Sequence, residues 1–461
     1  MKLKNPKIWL LLAGVAAIAG AWWYRQHIFA RKYALQIALQ NPKAKAIARQ
    51  LDSLKQAVDA HPNDVSARWK LADMFQKLGT LDLALEQLQA IAKLQPDDLH
   101  ARLAIADTEM ALFRAKDAEN AYRDVLRRWP RNVAAWQGLA AVLYGRRRYD
   151  ESMEAIRHAL VLKPEDPNSH FILANSMLQF ANQFPDTSAF ATYAQLAQAE
   201  FEKLLKVWPE PGEIEFRLGE ACTLLREQLA AVDHYQKALA RLPNRPEIYS
   251  NLAAVQMAMG NRTGARQTVE TALTHHVDSP ELRDLHGQLL QTTGEPGALE
   301  RALAEFAAAV KAAPKVGRYH EHYGAALVRA NRLPEARDEF IAAVTIDPNR
   351  PYAYQQLSGI YTRLGDAQHA NAAAKMANEM VANEQQLKQL QLISRAHPDG
   401  VQLFLILGDR YKDLGLIGAA RHEYHRVLAL DPNPAGKWHK RAAAGLAAID
   451  QDEAKREVAQ R

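Results

Sequence analysis

Proline recurs along this chain at a fixed interval, and that interval constrains the fold more than any other feature. Pro62, Pro96, Pro130 and Pro164 stand 34 residues apart. The same step separates Pro209 from Pro243, Pro314 from Pro348 and Pro398 from Pro432. A constant period of this size marks a stacked array, whose units are supersecondary elements unable to bury their apolar faces alone. Proline lacks a backbone N–H and its ring collides with the preceding helical turn. Each one therefore predicts the end of a helix and the start of the next unit.

Other residues keep the same register. With proline at position 32, small residues recur at position 20: Ala84, Ala118, Ala231, Ala265, Ala336, Ala370 and Ala420. Bulky residues recur at position 24: Tyr122, Phe201, Tyr235, Phe306, Phe340 and Tyr424. Leucine is usual at position 7 and a small residue follows it, as in Leu71-Ala72, Leu218-Gly219 and Leu407-Gly408. Small residues let two antiparallel helices approach closely while bulky ones fill the groove between them. Gly79, Gly260, Gly365 and Gly415 fall where the two helices would turn.

On these positions the chain resembles the tetratricopeptide-repeat family over about residues 65–434. The resemblance implies an all-α fold, a right-handed superhelical solenoid of about ten helix-turn-helix repeats. Counted from the pattern, the units start at 65, 99, 133, 167, 212, 246, 280, 317, 351 and 401. Residues 41–64 read as an N-terminal capping helix and 435–461 as a charged C-terminal one, since a stack must cover its last apolar faces. Three units carry extra residues: around Phe180–Ala191, at Gly294-Glu295-Pro296-Gly297, and after Ala370, where the second helix runs on through Asn383–Leu392. Insertions in solenoids map to loops on one face, tolerated at the surface or touching partners.

The first forty residues differ from the rest. Ile8 to Tyr24 carries no charge, is preceded by Lys2, Lys4 and Lys7, and is closed by Trp22, Trp23 and Tyr24. A basic flank, an apolar run near the minimum spanning length and interfacial aromatics predict a transmembrane anchor over about 8–24. Residues 25–40 would continue as a juxtamembrane helix. The competing reading is a secretory signal cleaved after Ala17-Ile18-Ala19, which would release a soluble periplasmic module. The positive flanks favour an inner-membrane protein with its repeats on the periplasmic side, the cytoplasmic side remaining the alternative. This layout is similar to the lipopolysaccharide assembly protein B family, without the paired-cysteine metal module that closes that family.

Chemistry is scarce. The lone Cys222 excludes an internal disulfide and any multi-cysteine metal site, and its place in the repeat reads as a small buried hydrophobe. No glycine-rich phosphate loop, nucleophile elbow or alternating-strand region occurs. His422 and His425 share a helical face, but no third ligand accompanies them, so a solvated face is expected rather than metal. His320 and His322, two apart, fall on different sides of a helix. The formal charge of +6 is spread along the chain, and its densest cluster, Arg146-Arg147-Arg148, reads as a solvated helix end. Neither cofactor, metal, nucleic acid nor small-molecule substrate is expected, and no enzyme.

What remains is a binding surface. In the tetratricopeptide family the first helix of each unit lines a concave groove, with positions 2, 5, 9 and 12 pointing into it. Carried onto this chain, the resemblance assigns Trp69, Asp73, Gln76, His100, Leu103, Asp107, Gln137, Tyr144, Phe171, Asn175, Phe216 and Glu220. Trp69 and Asp73 stand where one subclass has the Lys and Asn of a carboxylate clamp, so capture of chaperone tails is not implied. Aromatic anchors among acidic groups suit an apolar or basic peptide segment. The expectation is an assembly scaffold of a bacterial envelope that binds other proteins; a subunit accessory to polysaccharide or glycosyl-transfer machinery is a further alternative.

Overall fold

The computed structural model describes residues 42–460 apart from 184–188, 209–210 and 398. The expected transmembrane segment at 8–24 lies outside the described residues. Among those described, twenty-two helices and no strand are present, and no helix is long and apolar enough to cross a membrane.

The chain divides into two compact units, residues 1–138 and 139–461. The first contains α1 (Pro42–Ala60), α2 (Val65–Lys77), α3 (Leu81–Leu94), α4 (Leu99–Ala111), α5 (Ala115–Arg128) and the start of α6 (Val133–Gly145). The second continues through α7 (Tyr149–Leu162), α8 (Pro167–Gln183), α9 (Ala189–Leu204), α10 (Pro211–Leu224), α11 (Gln228–Arg241), α12 (Pro246–Ala258) and α13 (Arg262–Thr274). Then follow α14 (Pro280–Leu290), α15 (Ala298–Ala312), α16 (Gly317–Arg329), α17 (Leu333–Ile346), α18 (Pro351–Arg363) and α19 (Ala367–Ala396). The last three are α20 (Val401–Asp413), α21 (Ile417–Leu430) and α22 (Lys437–Gln460).

Several hairpins close on one recurrent contact. In them the position-24 ring of the second helix lies against a position-8 glycine of its own first helix and takes the space of a side chain. A Cβ on Gly219 would stand 2.5 Å from Tyr235, one on Gly324 2.9 Å from Phe340, and one on Gly408 2.7 Å from Tyr424. The rings are fully buried: Phe306 and Phe340 sit in one core with Ala302, Ala336, Ala353 and Leu357. Such rings remove a large apolar area from water, at about 25 cal/mol per Å².

Between the helices, position 15 takes the left-handed conformation. Gly79, Gly260, Gly294, Gly365 and Gly415 have φ between 67° and 79°, as the turn requires. Phe113, Arg147, Arg226 and Asn331 occupy the same position with φ of 57–62°. Asn tolerates that conformation, but Phe and Arg are strained there, so at Phe113, Arg147 and Arg226 the hairpin's packing imposes the turn on an unsuited residue.

The proline junctions hold two further devices. Two residues after the proline, Asp64, Asp98, Asn132 and Asp166 cap the next helix by accepting from backbone N–H groups of its first turn. Six residues after it, a side chain reaches back to the proline carbonyl. Arg68 donates to Pro62 O (2.7 Å), Arg102 to Pro96 O (2.7 Å), Trp136 to Pro130 O (2.8 Å) and Tyr249 to Pro243 O (3.0 Å). His170 and His320 do the same through Nε2 at 2.7 and 3.0 Å from Pro164 O and Pro314 O. Proline thus stops one helix and also presents an acceptor that fixes the entry of the next.

The extra residues are not all loops. On either side of 184–188, α8 and α9 are 17 and 16 residues long, against 13 or 14 in most units. The polar stretch after Ala370 belongs to the 30-residue α19. Gly294–Gly297 is a loop, tied down where Glu295 meets Arg266 (2.8 Å) and Arg301 (2.6 Å).

Two outcomes follow. Phe340→Ala should lower stability by about 3–5 kcal/mol through the cavity it opens, seen as an earlier urea midpoint in helical circular dichroism. Phe113→Gly should move the midpoint the other way by up to ~1 kcal/mol, because it relieves a left-handed residue whose ring is 95% exposed and packs on nothing.

Candidate functional site

The first helices of successive units present the residues assigned to the groove. In the first compact unit, Trp69 of α2 and His100 of α4 bring their rings to 4.7 Å, tilted by 33°. Gln76 donates across the same helix pair to Thr108 (3.3 Å). Asp73 is exposed and paired with Lys77 at 2.6 Å, while Asp107 accepts from the Tyr122 hydroxyl. Leu103 and Gln137 are half-buried.

In the second unit the side chains draw closer. Glu213, Arg217 and Glu220 form a ladder along α10, with Arg217 donating to Glu213 at 3.0 Å and to Glu220 at 2.8 Å. Burial pushes the Glu220 carboxyl above the usual range, against the pull of Arg217. Burial likewise raises the Tyr144 phenol, and it too feels Arg217. Tyr144 and Glu220, far apart in sequence, therefore face a common cation. Beside Glu220 lies a pocket of about 210 Å³ walled by α8, α10, α11 and α12, with Gln179, Asn182, Thr223, Tyr235 and Asn251 among its lining.

Three assigned residues are largely withdrawn from the surface. Phe216 is 3% exposed and packs in a core with Cys222, Tyr235, Leu252 and Val255. The guanidiniums of Arg217 and Arg245 cover its ring at 5.2 and 4.7 Å. Phe171 stacks on Trp208 at 4.9 Å. Asn175 is 6% exposed; its amide donates to Phe171 O at 2.9 Å and its Oδ1 is buried with no hydrogen-bond partner. A repeat template places a position on the groove side, whereas the neighbouring helix decides whether that position is open. Sequence reasoning missed Asn182 and Asn251 because neither falls on positions 2, 5, 9 or 12.

Other residues depart from their sequence-based reading. His422 is not on a solvated face: its ring meets Phe180 at 4.9 Å, and His425 lies 3.8–4.0 Å from Asp150 and Glu151. The lengthened α8 brings Phe180 to α21, a contact between residues more than 200 positions apart. Arg146 and Arg148 are likewise not solvated: they pair with Glu453 and Glu151 respectively, and their side chains are 14% and 12% exposed. Cys222 is fully buried and its thiol is pushed up to about 12 by burial. His320 and His322 bind different carboxylates, Glu339 and Asp284. Among the described residues no three His, Cys, Asp or Glu side chains are grouped to hold a metal.

Sequence profiles described as tetratricopeptide repeat match residues 51–98, 103–167, 194–246, 229–289 and 297–351. The chain belongs to the tetratricopeptide-repeat family. Repeats of this family generally mediate protein–protein interaction. Among curated relatives, the human protein O-mannosyl-transferase TMTC1 is 25% identical over 187 residues, 40% of this chain and 20% of that protein. The Arabidopsis thaliana TPR repeat-containing thioredoxin TTL4 is 34% identical over 110 residues, 24% of this chain and 16% of that protein. The chain thus spans a fifth or less of the length of these relatives. A tetratricopeptide repeat protein from Parabacteroides merdae superposes with a TM-score of 0.47 at 15% identity, covering 57% of this chain and 98% of that one.

The α8–α21 contact makes a pH-dependent prediction. Burial pushes the His422 imidazole down to about 4, with Arg426 and His425 adding to the effect, and burial pushes the Glu423 carboxyl up to about 7 against Arg426. A lowered histidine costs stability as pH falls from about 6.5 to 4, because the unfolded chain binds the proton first. A raised carboxyl costs stability as pH rises from about 4.5 to 7. Relative to the native chain, His422→Gln should therefore gain stability on acidification and Glu423→Gln on alkalinisation. Urea midpoints at half-unit pH steps read both, and parallel profiles would refute the assignment.

Proposed function

We propose that this chain is a non-enzymatic scaffold, tethered to a bacterial inner membrane by residues 8–24, that holds partner polypeptides against the first helices of its repeats. The observation that carries the reading is the pocket between α8, α10, α11 and α12. There the amide-bearing Gln179, Asn182 and Asn251 stand beside Glu220 and the Tyr235 ring. Amides that donate and accept suit an extended peptide backbone, whose groups must be satisfied once water leaves. Glu220 adds a preference for a basic side chain. The buried Asn175 Oδ1, one helical turn along α8, is an acceptor of the same kind.

The membrane part rests on the uncharged run Ile8–Tyr24 with its lysine and aromatic flanks. The periplasmic side is favoured for the repeats by those flanks. N-terminal sequencing of the mature protein separates the tether from release by cleavage.

Crosslinked capture from intact membranes tests the groove. Asn182→Ala combined with Asn251→Ala should deplete the polypeptides bound by the native chain at least tenfold, with helical content unchanged. Trp69→Ala probes the first unit in the same assay. An unaltered set of captured proteins in all variants would remove the groove from the account.

A further inference from the structure

A second and larger cavity lies where the turn between α6 and α7 meets the C-terminal helices. It has a volume of about 500 Å³, and Arg146, Arg147, Arg148 and Arg421 line it with Tyr411 and Glu453. Four guanidiniums against one carboxylate in the wall is an unusual density for a concave site of ligand size.

The neighbours neutralise these cations unevenly. Arg148 is held by Glu151, with Nε at 2.6 Å, and Arg421 donates through Nη1 to Asp450 at 2.8 Å. Glu453 bridges the other two: its Oε2 lies 3.3 Å from Arg146 Nη2 and 3.2 Å from Arg421 Nη2. The Arg421 side chain is 5% exposed, yet its Nη2 is buried and makes no hydrogen bond, so Glu453 stands close to it without the geometry to accept. Arg147, at the left-handed position of the turn, is exposed and has no carboxylate partner among the described residues. One cation is left over, and one buried N–H group is poorly served by a planar carboxylate.

We propose that this cavity binds a small phosphoryl-bearing anion. Its oxygens replace the Glu453 carboxylate between Arg146 and Arg421 and engage Arg147 as well. A tetrahedral phosphoryl group offers three acceptor oxygens in three directions, whereas a carboxylate offers two in one plane, and planar guanidinium forks pair with the former at several angles. The volume exceeds that of inorganic phosphate alone, leaving room for an organic portion against Leu387, Leu416 and Ile417. Glu453, on the last helix, acts as the internal occupant that an incoming anion displaces. The inference does not depend on the peptide groove.

Calorimetric titration of the full chain with sodium pyrophosphate at low salt tests this. Saturable one-to-one binding is expected, weakened at least tenfold in Arg147→Ala, an exposed residue whose loss leaves the packing intact. Glu453→Gln should tighten binding several-fold by removing the competitor. Absence of saturable binding in the native chain, unchanged affinity in Arg147→Ala, or no tightening in Glu453→Gln would each overturn the proposal. Citrate binding as tightly as pyrophosphate would overturn its phosphoryl component.

Discussion

An aromatic ring laid on a small residue across the hairpin is the contact on which many of the repeats depend. Two helices of 13 or 14 residues are too short to be stable alone in water, so their helicity has to come from burial. The ring supplies that burial only if the facing position is small enough to admit it, as at Gly219, Gly324 and Gly408. Once the ring is seated, the hairpin angle is set and the turn must follow. Phe113, Arg147 and Arg226 show how firmly, since each is forced into a conformation that suits glycine.

Stacking then transfers order from one hairpin to the next through the proline junction. The ring of Pro62 or Pro96 ends a helix, the Asp two residues later caps the following one, and an arginine six residues later grips the proline carbonyl. At equivalent places Trp136, His170, Tyr249 and His320 replace the arginine. Because the acceptor is a backbone carbonyl at constant geometry, any side chain with a donor at the right reach serves. That is why a repeated interaction leaves no repeated residue, and why the sequence pattern did not disclose it.

The two proposed binding surfaces grow from the same scaffold in two ways. The groove uses side chains that the repeat itself directs to one side, and neighbouring helices decide which of them stay open. Glu220 borders a pocket while Phe216, four residues earlier on the same helix, is sealed by Arg217 and Arg245. The arginine cavity instead joins remote parts of the array. Its walls come from the α6–α7 turn, the end of α8, the long α19, the α20–α21 hairpin and the terminal helix. Its charges are drawn from segments hundreds of residues apart, and their balance is set by one carboxylate, Glu453.

The sequence by itself determined the helical class, the 34-residue unit, the glycine turns and the pairing of small with bulky positions. All of these are local or nearest-neighbour requirements that recur and so reinforce one another. It also proposed groove positions on the first helices, though not which of them are accessible. Only the tertiary structure decided what happens between segments remote in the chain. His422 rests on Phe180, Arg146 reaches Glu453, and α8 and α9 run longer than the helices of most units. Periodicity records what every unit shares. A contact made once, between residues with no fixed separation, leaves no period to read.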